Sequence, residues 1–309
     1  MQGGVCFAAA GGRLTPVRPP RKATGMSAVQ SSVSAASDQT PHVLARLLAL
    51  GRPLVMGVLN LTPDSFSEGG QFVDPGVALA HARELVEGGA DILDIGAEST
   101  RPYGGATPVA REEEMARLKP VLSQAVALGV PVSIDTIKAD VAAWALDQGA
   151  AIVNDVWGLQ RDPEMAPLVA RRGAPVIVMH NRDGADPAID IMSDIAAFFE
   201  RSLAIAERAG IPRDRIVLDP GIGFGKTPEQ SMTAIGHLDR LKAFKLPLLV
   251  GASRKRFIAT VTPSEPQQRL GGSIAAHLLA VQKGAAIIRT HDVAETVQAL
   301  RVAAAIGAA

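Results

Sequence analysis

Only one cysteine, Cys6, occurs in the 309 residues. No disulfide can form within the chain, a usage that fits a reducing compartment, and the expected location is cytoplasmic. Aromatic residues are scarce at 4% and are not interleaved with a basic patch, which argues against a stacking platform for single-stranded nucleic acid. Neither sign of charge is in excess, with Lys+Arg and Asp+Glu both at 31, so nothing in bulk favours nucleic acid or an acidic membrane surface. No apolar run approaches the roughly 20 residues that span a bilayer. What is present is an apolar fraction of 47%, enough for a large core, and small-molecule chemistry is left as the default.

Acidic residues are missing before Asp38, and residues 1–40 are rich in Gly, Ala, Ser and Pro with no hydrophobic period. This extension is expected to be disordered. Arg13, Arg18, Arg21 and Lys22 leave two readings open, a dispensable extension or an organelle transit peptide, although Pro16, Pro19 and Pro20 would interrupt an amphipathic helix. Met26 offers an alternative start. Residues 41–51 hold a short lead-in helix, from His42 to Leu50, and residues 52–309 form the main domain.

From Arg52 short apolar runs alternate with longer amphipathic ones. Leu54 to Leu61 reads as a buried strand, followed by a helix over Pro75 to Glu87. Asp91 to Ile95, Pro131 to Ile134, Ala151 to Val153 and Pro175 to Met179 supply the next strands, and Ile216 to Leu218, Leu246 to Val250 and Ala285 to Ile288 complete the set. Helices are expected over about Ala110 to Ala127, from the third strand to Leu146, near Pro163 to Ala170, over Ile191 to Ala209, and around Pro228 to Phe244, Gln267 to Lys283 and Val293 to Ile306. Eight strand–helix units over residues 52–309 match the roughly 250 residues of a (β/α)8 TIM barrel. A doubly wound open sheet alternates in the same way but concentrates ligand groups near one switch point.

Here the polar groups are spread over nearly every strand end. Apolar runs stop at Asn60, Asp135, Asn154, His180, Asp219, Ser253 and Arg289, each just before a loop. In a barrel these ends converge on one face, so a single shared site is expected. The sixth strand leads into Asp219-Pro-Gly-Ile-Gly-Phe-Gly-Lys226. A Walker A loop would need glycine at Pro220, and a dinucleotide fingerprint would need glycine at Lys226. The glycines are therefore read as a tight, basic turn. Two long polar loops, Asn60 to Gly70 and Glu98 to Thr107, are expected to close over the site. Ser253 lies in Gly-Ala-Ser-Arg-Lys, where a hydrolase elbow would demand glycine at Lys255, so no nucleophile dyad is found.

Met56-Gly-Val-Leu-Asn-Leu-Thr-Pro-Asp-Ser-Phe-Ser, Glu98-Ser-Thr-Arg-Pro, Ser133-Ile-Asp-Thr, Asn154-Asp-Val, Val178-Met-His, Leu218-Asp-Pro-Gly-Ile-Gly-Phe-Gly-Lys, Gly251-Ala-Ser-Arg-Lys and Arg289-Thr-His-Asp-Val resemble, in order and spacing, the motifs of the dihydropteroate synthase family. The resemblance runs from about Arg52 to the C-terminus. It implies condensation of (7,8-dihydropterin-6-yl)methyl diphosphate with 4-aminobenzoate in folate biosynthesis. By the same resemblance Asp135, Asn154, Met179, Asp219, Lys255 and Arg289 hold the pterin, and Asn60, Thr100, Arg101, Arg289 and His291 meet the diphosphate. Phe66, Thr100, Pro102, Phe224, Ser253 and Lys255 line the 4-aminobenzoate end. Asn60 is implied as a Mg²⁺ ligand, an ion that prefers oxygen, keeps several waters and bridges phosphates with few protein groups. The implied catalytic set is Asn60, Arg101, Lys255, Arg289 and His291, and the implied assembly is a homodimer through outer helices.

Three departures from the family pattern are Glu68 in place of the usual aspartate, Thr290 where valine is common, and Tyr103-Gly104, which lengthen the second loop. Glu68 and Tyr103-Gly104 fall in the loops over the amine end and leave sulfonamide sensitivity open. A pterin-binding methyltransferase domain shares the barrel, but is not expected to carry both Ser253-Arg-Lys255 and Arg289-Thr-His291. A noncatalytic pterin-binding paralogue would be expected to have lost a loop residue, whereas Asn60, Thr100, Arg101 and Lys255 are intact.

Overall fold

The period-two alternation of the strands decides what faces inward, and with it where the site lies. A computed structural model describes residues 41–62, 74–98 and 109–308. Eight parallel strands, β1 (Leu54–Asn60), β2 (Ile92–Gly96), β3 (Val132–Asp135), β4 (Ile152–Asp155), β5 (Val176–Met179), β6 (Ile216–Asp219), β7 (Leu248–Val250) and β8 (Ala285–Thr290), pair in chain order and close as β8 meets β1. The architecture is the expected TIM barrel, not the open sheet. The N-terminal extension of residues 1–40 lies outside the described residues.

Leu54, Met56, Ile92, Ile152, Ile177, Val217, Leu249 and Ile287 form one apolar cluster inside the barrel, and Leu44 of α1 (Val43–Leu48) packs with them as a plug. Fully burying each such side chain contributes about 1.5–3 kcal/mol, so the lower layers carry stability without polar groups. Two residues further along the same faces come Asp94, Asn154, Met179, Asp219 and Arg289. The interior therefore changes from apolar to polar along its axis. The opposite parity, including Val55, Leu93, Ile134, Val153, Val178, Leu218 and Ile288, belongs to the larger core under the helices.

Helices α2 (Pro75–Glu87), α3 (Arg111–Leu118), α4 (Leu122–Val126), α5 (Ala139–Asp147), α6 (Met165–Arg172), α7 (Ile191–Ala209), α8 (Pro228–Gly236), α9 (Arg256–Val261), α10 (Leu270–Gln282) and α11 (Val293–Ala308) follow the strands. Several start where side chains satisfy their first free amides. Asp74 accepts from Gly76 and Val77, Asp190 accepts from Met192 and Ser193, and Thr227 with Gln230 forms a reciprocal capping box.

Two long helices expected from periodicity are broken. The run over Ala110 to Ala127 splits into α3 and α4 around Pro120, which has no amide proton to continue the ladder. The run over Pro228 to Phe244 ends as α-helix at Gly236 and continues as a 3-10 helix over Leu238–Phe244. Helix α9 was not expected from the sequence.

Candidate active site

The polar upper layer is connected by hydrogen bonds between residues far apart in the chain. Arg289, on β8, donates from Nε to Asp94 Oδ2 at 2.6 Å and from Nη2 to Asp135 Oδ2 at 2.9 Å. Asn154 Nδ2 donates to both oxygens of Asp94, at 3.3 and 3.1 Å. Asp94 is wholly buried and ties β2, β4 and β8 together. It was absent from the sequence-derived site. The signal that could have found it is its place two residues after the inward Ile92.

Asp135 and Asn154 are register partners on β3 and β4, as are Gly96 and Asp135 on β2 and β3 and Asn60 and Gly96 on β1 and β2. At Gly96 a Cβ would come within 3.2 Å of the Asp135 Cβ, so glycine leaves the Asp135 carboxylate its position. Asp135 Oδ1 and Asn154 Oδ1 are buried and have no hydrogen-bond partner among the described residues. Burial, then repulsion from Asp94, pushes the Asp135 carboxyl up to about 8, against the pull of Arg289. Asp219 is likewise raised, chiefly by burial, with Lys255 opposing. Two acceptors facing inward without donors are costly unless a ligand supplies donors.

Asp155, next to Asn154, has the opposite parity and a different task. Its carboxylate accepts from the amides of Trp157 at 2.9 Å and Leu159 at 2.7 Å, shaping the turn after β4. Met179 ends β5, buried, and its register partner is Asp219. The Asp219 Oδ1 accepts from the Gly221 amide at 2.7 Å. Gly221 has φ of 63°, and a Cβ there would fall on the His180 carbonyl oxygen. Glycine is required at that position for both reasons.

Lys255 reaches back across the site. Its Nζ donates to the Ile222 carbonyl and stands 4.5 Å from the centre of the Phe224 ring. Ser253 and His291, assigned separately from the sequence, are joined: the Ser253 Oγ lies 3.0 Å from His291 Nδ1 and accepts from the His291 amide at 3.2 Å. His291 sits two residues before α11, next to Asp292, whose carboxylate pairs with Arg254. The structure thus gathers Asp135, Asn154, Met179, Asp219, Phe224, Ser253, Lys255, Arg289 and His291 around the carboxyl ends of the strands, with Asn60 at the end of β1.

Phe66, Thr100, Arg101 and Pro102 lie outside the described residues, as do most of both loops expected to close over the site. The stem of the second loop is described. Glu98 accepts from the Val109 amide at 3.0 Å and from Lys138 Nζ at 2.5 Å, so one side chain bridges the two ends of that loop. Lys138 also donates to the buried Glu114 at 2.7 Å. Burial raises the Glu114 carboxyl, with Lys138 opposing.

Residues 56–291 match the model of the family described as pterin binding enzyme. The dihydropteroate synthase of Bacillus subtilis is 44% identical over 260 residues, 83% of this chain and 90% of that protein. The chain belongs to the dihydropteroate synthases. Among solved structures, the Xanthomonas albilineans dihydropteroate synthase with 4-aminobenzoic acid superposes with a TM-score of 0.80 at 46% identity, covering 84% of this chain and 95% of that one. The same organism's dihydropteroate synthase in complex with 7,8-dihydropteroate gives 0.77 at 43% identity, with the same coverage. Every described site residue, from Asn60 to His291, falls inside the span matched to the pterin-binding family.

For a dihydropteroate synthase the implied metal must fit the donors present. Among the described residues no group of three or more His, Cys, Asp or Glu could hold a metal ion. Asn60 offers one neutral amide oxygen at the rim. That set suits Mg²⁺ taken largely through substrate phosphate oxygens and water, not an ion caged by protein carboxylates. No helix among the described residues is long and apolar enough to cross a membrane.

Proposed function

We propose that this chain is the transferase that condenses (7,8-dihydropterin-6-yl)methyl diphosphate with 4-aminobenzoate, forming 7,8-dihydropteroate and diphosphate. The observation that carries the reading is the pair of buried, inward acceptors at Asp135 Oδ1 and Asn154 Oδ1. A pterin presents an amino-pyrimidinone edge whose N–H groups match them, and a ligand without those donors would leave both unpaired. Asp219, Lys255 and Arg289 complete the grip on the heterocycle, with Met179 as an apolar wall.

The diphosphate end is assigned to Asn60, Arg289 and His291, with Thr100 and Arg101 from the second loop. Cations and fixed donors favour departure because charge develops on the leaving oxygen as the carbon–oxygen bond breaks. Bound Mg²⁺ would neutralise part of that charge and orient the phosphates. The bond electrons leave with diphosphate, the electron-rich dihydropterin stabilises the methylene cation, and the amine nitrogen then forms the new bond and releases a proton. Phe224, Ser253 and Lys255, with Phe66, Thr100 and Pro102, are assigned to holding the arylamine in line.

Incubating the purified protein with the pterin diphosphate, 4-aminobenzoate and Mg²⁺ should yield dihydropteroate and diphosphate in equal amounts. Positional isotope exchange within the diphosphate, without amine, is expected from early bond breaking. Absence of product with all three present would refute the assignment. We further assign a homodimer through the outer helices, supported by the exposed Leu279 of α10 and Val302 and Ile306 of α11; light scattering after size exclusion measures it. The single cysteine supports a reducing, cytoplasmic setting.

A further inference from the structure

Lys226 closes the glycine-rich turn after β6, and at 1% exposure it is among the largest fully buried side chains of the barrel. A side chain so enclosed meets no substrate. Its Nζ faces three acceptors: His180 Nδ1 at 2.6 Å, the Gly221 carbonyl at 2.9 Å and the Phe224 carbonyl at 3.0 Å. An ammonium has three donors and no lone pair, so three acceptors suit the charged form. A neutral amine would turn its lone pair on one of them. Burial pushes this amine well down, while Asp219 and Asp194 draw it up.

The imidazole transmits the arrangement. Its Nδ1 accepts from Lys226, which leaves the proton on Nε2 to be donated to Asp194 Oδ2 at 2.9 Å. Asp194 is held in turn by Arg182 Nη1 at 2.8 Å. Because Asp194 lies in the first turn of α7, the turn after β6 is anchored to a neighbouring unit of the barrel. On its other side the turn meets Lys255, whose Nζ donates to the intervening Ile222 carbonyl. Three carbonyls of one short loop, at 221, 222 and 224, are thus gripped from two sides by two lysines. Phe224 is carried between them, its ring beside Lys255.

We propose that Lys226 is a positioning residue for the arylamine half of the reaction, acting through the Gly221 and Phe224 carbonyls on the placement of Phe224. The inference rests on the synthase reading above. The main chain of Asp219 is set by β6, where it pairs with Met179 of β5, whereas Phe224 lies in the turn that Lys226 holds, so loss of Lys226 should disturb amine capture more than pterin binding. Displacements of an ångström in such supports are enough to cost orders of magnitude in rate.

The test is a double-mutant cycle of Lys226→Met and Phe224→Ala, with each variant first shown to be folded by its near-native thermal transition. At saturating pterin diphosphate, Lys226→Met should raise KM for 4-aminobenzoate by about tenfold or more, while the pterin dissociation constant moves by less than about threefold. In the Phe224→Ala background the same substitution should have little further effect on that KM, because the group it positions is gone. Additive effects in the cycle, or equal losses in pterin binding and amine KM, would overturn the proposal. If Lys226→Met does not fold, the cycle is run with Lys226→Gln, which keeps an amide donor, and the same two outcomes decide. A wild-type protein without turnover would sink the synthase reading itself, an outcome distinct from turnover that ignores Lys226.

Discussion

Asp135 carries two opposed demands. Burial and the neighbouring Asp94 hold its carboxyl above the usual carboxylate range, whereas a ligand donating to Oδ1 favours the ionised form. Binding of a pterin should therefore release a proton wherever the free site still holds one, and affinity should increase as pH rises from mildly acidic toward about 8. Calorimetry in two buffers of different ionisation enthalpy reads the proton directly. Uptake of a proton, or heats independent of buffer at mildly acidic pH, would overturn this account of Asp135. At this scale the sequence was informative about individual strand-end residues such as Asp135, Asn154, Asp219 and Arg289, because a polar residue closing an apolar run is visible locally. It was silent on the partners. Asp94 sits mid-strand in Ile-Leu-Asp-Ile-Gly and ends no run, and its bonds to Asn154 and Arg289 span 60 and 195 positions.

Among the elements, strand and helix order was legible from periodicity, and helices Pro75–Glu87 and Ile191–Ala209 begin and end where the pattern does. Breaks within helices were less visible. Pro120 and Gly236 interrupt amphipathic runs whose apolar period continues past them, and the period alone weighs neither the missing amide proton of proline nor the backbone freedom of glycine. The links between elements are where substitutions should tell. Lys138, just before α5, joins Glu98, two residues after β2, to Glu114 of α3. The Glu114 side chain is fully buried and that of Lys138 only 24% exposed. Lys138→Met would leave Glu114 without this partner, a change worth about 3–5 kcal/mol when a buried pair is broken on one side. Urea unfolding should show a loss of that order, and Lys138→Met with Glu114→Leu should recover much of it. A double variant no more stable than Lys138→Met would mean that the pair itself, not the stranded carboxylate, supplies the stability.

Across the whole molecule the barrel separates an apolar end, plugged by Leu44, from a polar end where the substrate groups meet, and buried histidines sit in the surrounding scaffold. His277 of α10 is 1% exposed, and neither ring nitrogen has a hydrogen-bond partner among the described residues. Burial pushes its pKa down to about 4, with Asp292 drawing it up only in part. Its unfolded value is near about 6.5. Between those two values the unfolded chain takes up a proton that the folded chain refuses, so acidification favours unfolding. This contribution is neutral above about pH 6.5 and costs at most about 1.4 kcal/mol for each pH unit below it. Carboxylates with raised values, such as Asp135 and Asp219, act in the opposite sense, so the total slope is no test of His277. The difference between wild type and His277→Leu is. Leucine keeps comparable bulk and removes two unpaired polar atoms, so the variant should be at least as stable at neutral pH. Its advantage in urea unfolding should widen steadily toward about pH 5 as the wild-type histidine charges in the unfolded state. If the two proteins lose stability in parallel over that interval, His277 is not held neutral by the fold.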